Sequence, residues 1–173
     1  MAGDLHIRAA HVDDATNLAE VWIQFGRYYV ELDPAEFRVP EAEGLPDWFR
    51  SRLDDDRSDD SLWLVAERDL EVVGFIEAQV WRPAEDAGRQ LMREGAEPIL
   101  KVDSIMVVDE ARGEGVGTTL MNAAETWGRE RGATRAVVIS YAHSPSSVPF
   151  YEDRMGYRRN TIGFLKHLAD LTD

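Results

Sequence analysis

The sequence predicts an α/β (α+β) fold, one mixed sheet with helices on both faces, and three observations carry that expectation. The chain has 173 residues, 44% of them hydrophobic, enough to bury the core of one domain over residues 1–173 without a disulfide or structural metal. Strand-like and helix-like segments follow one another in the order β-α-α-β-β-β-α-β-α-β. One hydrophobic run, Ile99 to Val108, passes through a glycine-rich turn straight into a helical pattern.

Leu5 to Arg8 reads as the first strand. Asp13 or Asp14 then offers an N-cap to a helix carrying Ala15, Leu18, Ala19, Trp22, Phe25, Gly26 and Tyr29 at helical spacing. A second helical segment is expected within Pro34 to Leu53, broken by Pro40, Gly44 and Pro46, with Asp54 to Asp60 as an exposed acidic loop. Ser61 opens an antiparallel pair: the run Leu62 to Ala66, a turn at Arg68 to Leu70, and a β-branched and aromatic strand from Val72 to Trp81. Pro83 ends it. Ala84 to Pro98 is a polar insertion, read as a flap or contact surface, ahead of the strand Ile99 to Val108. Beyond the glycines, Val116, Leu120, Met121, Ala124 and Trp127 share one face of a helix ending near Gly132. A buried strand from Arg135 to Ser140 follows. Ser144-Pro145 then starts a helix ending near Met155-Gly156, and Tyr157 to Leu168 reads as a last strand.

Charge excludes several function classes. With 19 Lys and Arg against 33 Asp and Glu, the net charge is −14, which opposes nucleic acid and anionic membrane surfaces. Residues 31–60 hold eleven acids and four arginines, a net of −7; such a run serves solubility or draws cationic ligands. Cysteine is absent, which excludes a thiolate nucleophile and cysteine-ligated metals and fits a reducing compartment. The start, MAGDLHIRAA, lacks a signal-peptide apolar run, and no stretch approaches the roughly 20 apolar residues of a membrane span. A cytoplasmic protein without metal is the expectation.

The chemistry concentrates in Arg112-Gly113-Glu114-Gly115-Val116-Gly117. Glycines there let backbone N–H groups approach a ligand closely, and a helix N-terminus adds partial positive charge, a combination suited to phosphate or pyrophosphate. The spacing G-x-G-x-G is not the dinucleotide fingerprint G-x-G-x-x-G, and no Gly-Lys-Ser/Thr triplet occurs.

This segment resembles the acyl-CoA loop of the GNAT superfamily of N-acetyltransferases, Arg/Gln-x-x-Gly-x-Gly/Ala, preceded by a strand like Ile105-Met106-Val107-Val108. Phe150-Tyr151 followed by Gly156-Tyr157 is similar to a second family element, and Phe164 to Leu168 to its last strand. The resemblance spans about residues 60–168. It implies a central sheet of six to seven strands flanked by four helices, acetyl-CoA as cosubstrate, and a homodimer. It further implies that Arg112, Gly113, Glu114, Gly115, Val116, Gly117 and Thr118 hold the pyrophosphate, Arg112 through its backbone. Met106 and Val107 would pair with the pantetheine arm and polarise the thioester carbonyl. Ser144 stands where many relatives carry Asn, and Ser147 where they carry Ala; Ser144 is expected to cap its helix or to bond the pantetheine arm.

A primary-amine acceptor with a pKa near 10.4 is only about 0.1% neutral at pH 7.4, a handicap of about 4 kcal/mol, so a base is needed. Glu77 and Asp103, carboxylates within predicted central strands, are the candidates, with His143 behind them. Tyr151 matches the family position that protonates the departing thiolate. Trp22, Phe25, Tyr28 and Tyr29 either line an acceptor pocket or pack the core. The function expected is acetyl transfer to a small cationic amine such as a polyamine or aminoglycoside. The alternatives are a protein lysine or N-terminal acetyltransferase and a regulatory CoA-binding module; an unrelated nucleotide binder is disfavoured by the motif spacing.

Overall fold

A computed structural model describes residues 3–55 and 58–166. The chain divides into two compact units at Ile139/Ser140.

The first unit is built on a five-stranded mixed sheet in sequential order. The strands are β1 (His6–Ala9), β2 (Ser61–Arg68), β3 (Glu71–Trp81), β4 (Ile99–Val107) and β5 (Arg135–Val138). The first four pair antiparallel, and β5 runs parallel to β4. Its helices are α1 (Ala15–Leu32), α2 (Leu45–Asp55) and α3 (Val116–Glu130), the last forming the crossover that a parallel β4/β5 pair requires.

Both faces of the sheet are buried. On one, Leu18, Ala19 and Val21 of α1 and Leu45, Phe49 and Leu53 of α2 pack on Trp63, Val65, Phe75 and Met106. Ile76, adjacent to Phe75 and therefore on the opposite face, is fully buried too, as are Leu120, Met121 and Ala124 of α3. Gly128 brings α3 close to the sheet: a Cβ there would lie 3.1 Å from the Leu100 side chain.

Local chemistry explains several boundaries. Asp14 is not a simple N-cap of α1. It lies in a 3₁₀ turn (Val12–Asp14), where its carboxylate accepts the His11 backbone N–H at 2.7 Å and a bidentate pair of bonds from Arg8. Burial works to raise the Asp14 pKa, but the Arg8 and His11 hydrogen bonds win and hold it below the usual carboxylate range. Pro46 does not break α2 but sits in its first turn, where its missing N–H leaves no gap. The β2–β3 hairpin turns through Asp69 and Leu70, both at positive φ, as a tight two-residue hairpin demands. The insertion after Trp81 contains two 3₁₀ turns, Ala87–Arg89 and Arg93–Gly95.

The second unit departs from expectation. The helix predicted from Ser144 to Met155 is one short α segment, α4 (Ser147–Pro149), continued by a π-helical turn (Phe150–Arg154). Residues 157–166 form no strand, and among the described residues the sheet has five strands rather than six to seven; His167 and Leu168 lie outside the described residues. The apolar pattern in that segment is Ile162, Phe164 and Leu165, all exposed, and apolar alternation alone does not make a strand without a paired edge.

Candidate active site

The glycine loop grows out of the end of β4. After Val107 the chain makes a 3₁₀ turn (Asp109–Ala111), extends at Arg112, and reaches α3 through Gly113 and Gly115 at φ +80° and +88°. That left-handed backbone, and not crowding, requires glycine at both positions: a Cβ on either would meet nothing within 4 Å. Gly115 is the residue before α3 and has no side chain to cap it, so the N–H groups of the first turn are left for a ligand.

Two of the loop's carboxylates are paired with arginines. The Glu114 carboxylate pairs with Arg68 at the end of β2, and Asp109 pairs with Arg112 at 2.8 Å. Arg112 also donates from Nε to the Val107 carbonyl at 3.1 Å and stacks on Tyr28 and Phe25, its guanidinium carbon 4.8 and 5.6 Å from their ring centres. Its side chain thus ties the loop back to β4 and α1. Phe25 and Tyr28 of α1 serve that tie, while Tyr29 packs on Phe37 and Trp22 joins the aromatic core. The Thr118 hydroxyl is buried in the first turn of α3 without a partner. Open space over the loop, free helical amides, the pairing of Glu114 and Asp109 with arginines and an orphaned hydroxyl all fit a pyrophosphate.

Beside the loop, β4 offers an edge. β5 pairs with it only from Ile99 to Val102, so among the described residues no strand covers that side of Ser104 to Val107. Met106 and Val107 lie in this stretch, paired on the other side with Phe75 and Gly74. The register with β3 also slips here: Glu77 faces Ser104 while Ala78 faces Val102, leaving Asp103 as an extra, bulged residue.

That bulge separates the two candidate carboxylates. Glu77 is 8% exposed and points to the α1–α2 face, opposite Trp63. It accepts a hydrogen bond from Ser104 Oγ at 3.0 Å and pairs with Arg52 of α2. Burial pushes the Glu77 pKa up, more than Arg52 and Ser104 pull it down, and nearby Asp103 adds to the rise. Asp103 is exposed, held by Lys101 Nζ at 2.6 Å and Gln79 Nε2 at 2.7 Å.

Arg52 and Ser104 are site residues that sequence reasoning missed. A signal existed for Arg52: it follows Trp48 by four residues, one helical turn, and its guanidinium lies 4.8 Å from that ring.

In the second unit, Ser144 is buried and its hydroxyl accepts the Ser147 N–H at 3.1 Å while donating to Ser147 Oγ at 2.9 Å; the residue immediately before α4 is Ser146, two positions on. Tyr151 lies in the π turn, its ring 5.9 Å from Tyr157, and its carbonyl accepts the Tyr157 N–H at 2.9 Å. Gly156, at φ +72°, lets the chain reverse there. His143 is exposed and packs edge-on to Tyr141. Among the described residues no three His, Asp or Glu side chains converge to hold a metal ion, and no helix is long and apolar enough to cross a membrane.

The profile of the acetyltransferase (GNAT) family matches residues 26–157, well over half of the chain and including the glycine loop. The chain belongs to this family. Its fold is shared by solved structures of low sequence identity. A transcriptional regulator from Bacillus halodurans is 20% identical with a TM-score of 0.73, covering 95% of this chain and 100% of its own. An aminoglycoside N-acetyltransferase in complex with CoA is 15% identical with a TM-score of 0.67, covering 97% of each chain. Glucosamine-6-phosphate N-acetyltransferase from Arabidopsis thaliana is 14% identical with a TM-score of 0.70, covering 95% of this chain and 99% of its own. No curated protein matches the chain.

Proposed function

We propose that this acetyltransferase moves the acetyl group of acetyl-CoA to the primary amine of a small cationic acceptor by direct attack. The family match runs across both units and supports one acetyltransferase domain. The observation that carries the acceptor side is Glu77, a buried carboxylate of raised pKa, opposite Ser104 on the strand that leads into the glycine loop. Acetyl-CoA supplies an acyl thioester, an activated carbonyl with a thiolate leaving group.

The loop amides of residues 113–118 bind the pyrophosphate, with Thr118 Oγ1 as an added donor. Main-chain groups at Met106 and Val107 orient the pantetheine arm along the β4 edge and polarise the thioester carbonyl. Glu77 takes the proton that the acceptor ammonium must lose, directly or through water; burial raises its pKa and makes it a stronger base than a solvated carboxylate. Tyr151 gives its phenolic proton to the departing sulfur, a role resting on its match to the family motif. The acidic run of residues 31–60 supports a cationic acceptor.

The test is calorimetric titration of acetyl-CoA, then thiol release with polyamines, aminoglycosides and lysine peptides as acceptors. Binding followed by thiol release with a small polyamine or aminoglycoside is expected. Absence of acetyl-CoA binding overturns the reading, and release with lysine peptides alone overturns the small acceptor.

A further inference from the structure

On the α1–α2 face, the Arg52 guanidinium lies over two indoles, 4.8 Å from the ring centre of Trp48 and 5.6 Å from that of Trp63, and pairs with the Glu77 carboxylate. Two aromatic walls and a carboxylate floor form a receptor for an organic cation, because ring faces and carboxylate both attract positive charge where water is partly excluded. Ser104 completes the floor by hydrogen bonding the other Glu77 oxygen. Trp22 and Phe49 buttress the walls, with ring centres 6.1 Å and 4.9 Å from that of Trp48.

The cation now in this cage is not fully satisfied. Arg52 Nε is buried without a hydrogen-bond partner, while the side chain as a whole is 40% exposed and Trp48 is 44% exposed. A long, half-exposed side chain with an orphaned N–H is poised to leave for water, where every N–H is solvated.

We propose that the Trp48–Trp63–Glu77 cage is the subsite for the acceptor's cationic group, its ammonium, and that Arg52 is an internal stand-in which the acceptor displaces. This rests on the amine-transfer reading above and adds to it the site and charge of the acceptor. Displacement also has a chemical consequence. Arg52 is the main group opposing the rise of the Glu77 pKa, so its exit leaves the carboxylate facing the ammonium whose proton it is to take. Selectivity follows as well: a neutral or anionic ligand gains nothing by evicting a cation from a carboxylate.

The experiment uses the full chain without acetyl-CoA and reads calorimetric binding and tryptophan fluorescence with ethylguanidinium and spermidine as probes and ethylurea as neutral control. If the withdrawn state of Arg52 holds about 10% of molecules, Arg52→Ala lowers the apparent Kd for either cation about tenfold. The gain is expected to vanish in the Arg52→Ala, Glu77→Gln double variant, and ethylurea is expected to bind neither protein. Arg52→Gln provides the same reading should Arg52→Ala fail to fold. A folded Arg52 variant that binds acetyl-CoA yet binds the cations no better than wild type overturns the cage and leaves the transferase reading intact. A tenfold rise in the acceptor KM at unchanged kcat would also overturn it, since Arg52 would then hold the acceptor. Wild-type protein that fails to bind acetyl-CoA refutes instead the reading on which the acceptor assignment rests.

Discussion

Replacing Gly115 separates two reasons for a glycine that are usually confounded. Its φ of +88° penalises any Cβ, whereas the space around that Cβ is empty, so in the free protein only the conformational cost operates. For alanine that cost is about 1–2 kcal/mol. A domain of this size loses about 2–4 °C in Tm per kcal/mol, so Gly115→Ala is expected to melt about 2–8 °C below wild type. Asparagine tolerates left-handed backbone better, and Gly115→Asn is expected to recover part of the loss. Acetyl-CoA should respond differently. If the open space is where the pyrophosphate approaches the amides, a side chain obstructs it, and both variants lose affinity, asparagine at least as much as alanine. Calorimetric melting and acetyl-CoA titration on the same three proteins give the result. Two patterns refute the reasoning: Gly115→Asn less stable than Gly115→Ala, which makes space limiting in the free protein, or both variants binding acetyl-CoA like wild type, which moves the ligand off this loop.

Three further outcomes are expected. Asp14→Asn removes the charged partner of Arg8 and costs about 1.5–3 kcal/mol at neutral pH; because the Asp14 pKa is lowered on folding, its stabilisation is present above the unfolded value and lost as pH falls through the folded one, so the variant should lose less stability on acidification, measured by denaturant unfolding at each pH. Glu77 has the opposite sign: its pKa rises on folding, its stabilising share is complete below the unfolded value and lost as pH climbs through the folded value, and Glu77→Gln should flatten that arm while lowering kcat about 10²–10⁴-fold. Tyr151→Phe is expected to lower kcat without changing acetyl-CoA affinity, and unchanged turnover in steady-state assays would remove Tyr151 from the proton path.

The glycine loop was legible because its signal is local. A strand, left-handed glycines and a helix start lie within about a dozen residues, and each is dictated by backbone sterics that neighbours in sequence already express. The antiparallel β2–β3 pair was legible for the same reason. The last strand was not: Tyr157 to Leu168 has the apolar content of a strand, yet a strand exists only where an edge accepts it, and residues 157–166 pair with none. Pro46 misled in the other direction, since a proline stops a helix in its interior but is accommodated in its first turn.

The sequence by itself determined the order of elements, the family loop from Arg112 to Thr118, and the absence of any cysteine chemistry, because composition and short-range periodicity decide those. Only the tertiary structure distinguished Glu77 from Asp103. A one-residue bulge in β4 leaves Asp103 exposed beside Lys101, while Glu77 turns into an aromatic face under Arg52, a partner 25 positions away. It likewise turned Arg112 back onto Val107, Phe25 and Tyr28. Strand register and long-range packing set the solvation and partners of a charge, and these, more than its residue type, determine what it can do.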